Sequence, residues 1–199
     1  MPRYREIFIK KDARIIVWKI TESEKELIQL LNNPVHVDIA KSRKAESSRK
    51  QYMASRIILE QESLDSELTK DINGKPTLKE RHVSITHDHN YVAVMISEQE
   101  CGIDLQHISP KVLRVKHKFF DPQDDVLSKD ELIGLTIAWC IKEAIYKIHG
   151  DPLIYFKEHM RLLSFSQNRV HAKILHPDYL KDVTLEVQKI DELYLAYTI

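Results

Sequence analysis

Two short segments carry residue types that could do phosphate chemistry. The first, Trp139-Cys140-Ile141-Lys142-Glu143-Ala144-Ile145-Tyr146-Lys147, sets a Lys-Glu pair and a second lysine among aromatic and aliphatic residues. Charges in such company are costly unless something pairs with them. The second, Gly102-Ile103-Asp104-Leu105-Gln106, puts a carboxylate at the end of an apolar run. One carboxylate at a strand end and one on a helix can hold magnesium, a cation that favours carboxylate oxygens and substrate phosphates. Each residue alone also has a plainer reading. Glu143 and Lys147 are one helical turn apart and read as an ion pair worth roughly 0.3 kcal/mol. Asp104 reads as a turn or cap residue. Asp104 and Gln106 share one face of their strand, and Gln106 offers a carbonyl oxygen without a charge.

Further upstream, Ser84-Ile85-Thr86-His87 ends a predicted strand, and Ser84, Thr86 and His87 could all contact phosphate; His87 reads equally as an exposed or capping histidine. Lys75 follows Gly74, whose missing side chain would let a ligand approach the backbone. A solvated turn lysine is the plainer alternative. Lys41, Arg43, Lys44, Arg49, Lys50 and Arg56 make one predicted helix basic, and the spacing of Arg49 and Arg56 puts them on one face. That face reads either as solvated or as an anion site.

The elements that must position these residues follow from periodicity. Ile15–Ile20 is a buried strand. Thr21-Glu22-Ser23-Glu24 has the capping-box pattern and opens a helix to Leu31, which Asn32-Asn33-Pro34 ends. A longer basic helix is expected from about Asp38 to Glu60. After the turn Asn73-Gly74-Lys75-Pro76, strands are expected near Thr77–Leu78, His82–Thr86, Tyr91–Ser97 and Cys101–Leu105. Both parities of Tyr91–Ile96 are apolar, which makes that strand central. A short helix covers Pro110 to Phe120. A second capping box, Ser128-Lys129-Asp130-Glu131, opens the helix that runs to about His149, with Gly150 as its stop. Arg169–Leu175, Val183–Lys189 and Leu193–Thr198 alternate as antiparallel strands, with Gln167-Asn168 as a hairpin turn. The order implies an α+β chain of two similar halves, 1–100 and 101–199.

Composition narrows the partners. Hydrophobic residues make up 43% and charged residues 30%, an ordinary soluble balance, and thirty basic against thirty acidic residues leave no net charge. Bulk attraction to nucleic acid or to a membrane is therefore not expected, and the 41–56 helix lacks the aromatic interleaving of a nucleic-acid binder. Only four glycines occur, so a glycine-rich nucleotide loop is absent. Cys101 and Cys140 lack metal-ligand spacing and read as small buried residues. No apolar signal region opens the chain and no run would span a bilayer, so a cytoplasmic location is expected.

Taken in order, these segments resemble the 4′-phosphopantetheinyl transferase superfamily, in particular its larger monomeric type. That family pairs Gly-Ile/Val-Asp-x-Glu with a downstream Trp-x-x-Lys-Glu-x-x-x-Lys; the corresponding segments here begin at Gly102 and Trp139. Gly74-Lys75-Pro76, Ser84 to His87, Lys118-Phe119-Phe120 and the basic helix from Arg49 to Leu59 extend the match over roughly residues 15 to 198. The resemblance implies two α/β halves related by a pseudo-twofold axis, each a small, mostly antiparallel sheet with a long helix, together one globular unit. Residues 1–100 would supply coenzyme A-binding elements, and 101–199 the metal site and catalytic helix. It implies transfer of the phosphopantetheine arm of coenzyme A to a serine of an acyl or peptidyl carrier protein, of the kind used in fatty-acid, polyketide and peptide synthesis. By the same resemblance Asp104, Glu143 and Gln106 would face magnesium, and Glu143 would take the serine proton. Lys147 would stabilise charge near the diphosphate; Lys75, Ser84 and His87 would bind phosphates, and Arg49 and Arg56 the 3′-phosphate end. The role of Lys142 stays open. The chain departs from the family where Gln106 replaces an acid, which removes a negative charge; a non-catalytic relative that only binds coenzyme A or carrier is the alternative. Lys111, Arg114, Lys116 and Lys118 form a basic stretch that reads as a docking surface for an acidic carrier, or as a solvated face.

Overall fold

The structure is a computed structural model that describes residues 4–10, 12–124, 130–150 and 152–199. The chain divides into two compact units, one of Met1–Ile72 with Pro76–Glu100, the other of Asn73–Lys75 with Cys101–Ile199.

In the first unit, strands β1 (Arg5–Lys10), β2 (Ala13–Lys19), β5 (His82–Asp88) and β6 (Tyr91–Ser97) form an antiparallel sheet of order β1-β2-β6-β5. β6 is buried along its whole length, as its doubly apolar sequence demands. β1 was not expected; it is an edge strand whose Phe8 is exposed, so its apolar residues do not mark a core face. Helices α1 (Glu24–Leu30), α2 (Val35–Lys41) and α3 (Glu46–Gln61) follow β2. α3 packs Met53, Ile57 and Ile58 on the sheet face that carries Trp18, Val83, Val92 and Val94. β3 (Thr69–Lys70) and β4 (Pro76–Thr77) form a small ribbon.

Two local expectations need correction. The capping box of α1 is Ser23 with Glu26, not Thr21 with Glu24. Glu22 turns back instead, accepting from the Thr21 amide at 2.9 Å and from Trp18 Nε1 at 3.2 Å. The basic segment is two helices rather than one. Arg49 holds the break: its Nη1 donates to the carbonyls of Arg43 (3.1 Å) and Lys44 (2.8 Å), satisfying groups that would otherwise continue the helical ladder.

The second unit has a five-stranded antiparallel sheet of order β7-β11-β10-β9-β8. Its strands are β7 (Ile103–His107), β8 (Met160–Ser166), β9 (Arg169–His176), β10 (Tyr179–Ile190) and β11 (Leu193–Thr198). β8 was missed by periodicity because a bulge between Leu162 and Ser164 breaks its alternation. Gln167 and Asn168 make the expected hairpin turn, both at positive φ. Helices α4 (Lys111–Phe119), α5 (Glu131–His149) and α6 (Phe156–His159) complete the unit. α5 buries Leu135, Ala138, Ile141 and Ile145 among Val170, Ala172, Leu185 and Ala196 of the sheet. Its N-cap is Asp130, which accepts from the Ile133 amide at 3.1 Å; Ser128, the expected cap, lies outside the described residues. Gly150 ends α5 in the left-handed conformation, as expected. No described helix is long and apolar enough to cross a membrane.

Candidate active site

β7 and α5 meet through a glycine. A Cβ built on Gly102 would lie 2.0 Å from the Ala144 carbonyl oxygen, so only glycine lets the strand start so near the helix backbone. The strand then runs antiparallel to β11, with Asp104 opposite Ala196 and Gln106 opposite Tyr194. Ala196 and Tyr194 pack with α5, and residues directly opposite in a ladder share a face, so Asp104 and Gln106 both face that helix. α5 contributes Cys140, Glu143 and Lys147 at helical spacing toward the same region.

Asp104 is buried. Its Oδ1 accepts from Lys147 Nζ at 2.6 Å, and the same ammonium reaches the Ile103 carbonyl at 3.2 Å. Lys147 therefore pairs with the strand carboxylate, not with Glu143 as helical spacing suggested. The Cys140 thiol donates to the backbone carbonyl of Asp104 at 3.3 Å. Burial, followed by the Asp104 charge, pushes that thiol well above its usual range, so it stays protonated and does not serve as a nucleophile. Glu143 is pushed up to about 7, first by burial and then by the negative charge of Asp104, against the pull of Lys147. Glu143 thus lies near the Asp104 charge while the nearby ammonium is paired with Asp104. A second positive charge would relieve the two acids, and the donor set, two carboxylates with the Gln106 amide oxygen on the same face, suits a hard divalent cation.

Beside this cluster lies a cavity of about 180 Å³ whose lining includes Gln106, Ser109, Val112, Val115, Thr136 and Trp139. α4 forms one wall and turns Lys111, Arg114 and Lys118 to solvent, whereas Lys116 pairs with Glu131 at 2.6 Å. Trp139 is fixed by Phe119 and Phe156, with ring centroids 5.1 and 5.4 Å away.

The other candidates sit in different settings. Lys75 belongs to the second unit, where its ammonium donates to the Ile148 carbonyl at the end of α5. In the first unit Ser84 is buried and His87 is exposed near the end of β5. Arg49 pairs with Glu24 at 2.7 Å in addition to its two carbonyls. Arg56 lies over the Tyr52 ring and 3.8 Å from Asp65. Both arginines are therefore engaged within the protein. The first unit also has a cavity of about 530 Å³, lined by Ile20, Ser47, Lys50, Gln51, His89 and Asn90. No sequence motif pointed to it, because its lining comes from three separate segments.

Comparison with known proteins bears on the second unit above all. A family model described as the 4′-phosphopantetheinyl transferase superfamily matches residues 100–198, the stretch that holds β7, α5 and the whole carboxylate cluster. A 4′-phosphopantetheinyl transferase of Bacillus pumilus is 29% identical over 133 residues, covering 61% of this chain and 55% of that protein. The match thus spans about half the length of the curated relative.

Proposed function

Because the chain belongs, through residues 100–198, to the 4′-phosphopantetheinyl transferase superfamily, we propose that it transfers the 4′-phosphopantetheine arm of coenzyme A to a serine of an acyl or peptidyl carrier protein. The observation that carries this reading is the convergence of Asp104, Gln106, Glu143 and Lys147 at the contact of β7 with α5. Asp104 and Glu143, with the Gln106 amide oxygen, would hold a magnesium ion, which when bound neutralises diphosphate charge.

The chain's own groups supply the rest. The serine Oγ attacks the phosphorus that bears the pantetheine. The Oγ–P bond forms as the P–O bond within the diphosphate breaks, and adenosine 3′,5′-bisphosphate leaves with the bonding electrons. Glu143 takes the serine proton, directly or through a water. With no cation present its carboxyl lies at about 7, raised by burial and by the Asp104 charge. Lys147, held by Asp104, presents positive charge to the breaking bond. Lys75, Ser84 and His87 are proposed contacts to coenzyme A phosphates on the resemblance of their segments alone. Arg49 and Arg56 enter the proposal as the groups that hold α3 in place. The exposed cations of α4, Lys111, Arg114 and Lys118, would meet an acidic carrier.

The test is a mass measurement on several apo carriers incubated with coenzyme A and magnesium. The reading expects one phosphopantetheine per carrier with the wild type and none with Glu143→Ala. Gln106 favours a second reading, a relative that binds without transfer, because it supplies no charge to the cation. Gln106→Glu separates the two: activity appearing from nothing would mean that the glutamine had disabled the site.

A further inference from the structure

Lys142 is the motif residue that the transfer chemistry does not use, and its side chain is fully buried. Its three N–H groups face four oxygens: Asp124 Oδ2 at 2.6 Å, and the carbonyls of Phe119 (2.7 Å), Met160 (3.0 Å) and Phe156 (3.2 Å). Asp124 is buried with it. Asp124 Oδ1 accepts from the Leu162 amide at 2.9 Å, and its Oδ2 also accepts from the Asp121 amide at 3.2 Å. Asp121 in turn pairs with Arg161 at 2.8 Å. One ammonium therefore ties α5 to the end of α4, to the segment 121–124, to the start of α6 and to the start of β8.

Such a pair is a poor device for stability alone. Desolvation cancels most of the attraction, and apolar residues of similar volume often do as well. What an ammonium shared among four chain segments supplies is a fixed location. That location adjoins Glu143 in sequence. On its other side, Ala144 is the residue whose carbonyl oxygen Gly102 approaches. Glu143 is thus bracketed by two anchors, one reaching the α4–β8 side and one reaching β7.

We infer that Lys142, with Asp124, is a positioning residue for Glu143: it sets the rotation and axial placement of α5 so that the Glu143 carboxylate stays beside Asp104. The inference rests on the proposed transfer for its kinetic consequence, but placement can be read without any ligand.

The test uses Lys142→Met/Asp124→Leu, which removes both charges at similar volume, and Asp124→Asn, whose amide oxygen can still accept from the Leu162 amide. Four quantities are measured: the melting temperature, hydrogen exchange of the 139–147 peptide, Mn²⁺ affinity from the free-ion EPR signal, and the kcat and KM of transfer. The double variant is expected to fold, to exchange at 139–147 about tenfold faster and to bind Mn²⁺ about tenfold more weakly. Its kcat should fall by roughly 10- to 100-fold, with KM for coenzyme A within about twofold. Asp124→Asn should move the same quantities in the same direction by less. A folded variant with wild-type exchange, Mn²⁺ affinity and kcat overturns the inference, and failure of both variants to fold overturns it in favour of a purely structural role. If the wild type transfers nothing to any carrier, the proposed function fails by itself, and exchange and Mn²⁺ binding still decide the placement.

Discussion

Gly102→Ala tests the contact that builds the site. The new Cβ would sit 2.0 Å from the Ala144 carbonyl oxygen, 2.9 Å from Ile148 Cγ1 and 3.0 Å from the Ala144 carbonyl carbon. The Ile148 side chain can turn away, but the carbonyl belongs to the helix backbone and cannot. Real Cβ atoms essentially never come closer than 3.0 Å to such neighbours, so strand and helix must part by about 1 Å at the least. Overpacking of this kind costs about 1–3 kcal/mol. The larger consequence is for chemistry, because Asp104 rides on the strand and Glu143 and Lys147 on the helix. A misplacement of about 1 Å between reacting groups costs on the order of a hundredfold in rate. The assay is a time course of carrier modification at saturating coenzyme A, with melting followed in parallel. The expected result is a folded protein with a modestly lowered melting temperature and a kcat down by about two orders of magnitude. A Gly102→Ala variant with kcat within about twofold of wild type would refute the argument that this approach sets the site geometry.

Stability in the absence of divalent cations should depend on pH through Glu143. Its carboxyl holds a proton more tightly when folded (about 7) than at the usual 4.5, so stability falls as pH rises between those values and levels off above them. The full span is on the order of 3 kcal/mol, and Glu143→Gln should flatten it in chelator-treated melts. Arg49→Ala should lower stability by about 1–3 kcal/mol by freeing the Arg43 and Lys44 carbonyls and the Glu24 carboxylate, yet leave kcat unchanged in the carrier assay. Lys111→Glu with Arg114→Glu should raise KM for the carrier about tenfold at low salt and remove most of its salt dependence, with kcat unchanged.

How much of this was legible in the sequence depended on how local each cause is. α5 was readable because its apolar stripe and its Gly150 stop lie within one stretch, although the cap is Asp130 and the Ser128 read as its cap lies outside the described residues. The shared facing of Asp104 and Gln106 followed from strand parity alone. The partner of Lys147 was not readable, since helical spacing favoured Glu143 and only the β7–α5 contact delivers Asp104. Lys142 lacked an evident role for a similar reason: Asp124 lies on an irregular segment 18 residues away and no periodicity marks it. The break between α2 and α3 contains neither glycine nor proline; a tertiary clamp from Arg49 sustains it. The basic residues illustrate the same limit, because Arg49, Arg56 and Lys116 resemble solvent-facing cations in sequence yet each has an acidic partner in the fold.

The most direct measurement of the central claim follows both products of one reaction. Apo carrier protein, coenzyme A and magnesium are mixed with the protein, and the adenosine 3′,5′-bisphosphate released is quantified alongside the carrier's gain in mass. Equal amounts of bisphosphate and modified carrier, both lost on Glu143→Gln, are the predicted result. Bisphosphate release without a change in the carrier, or neither product with any carrier tried, would contradict it.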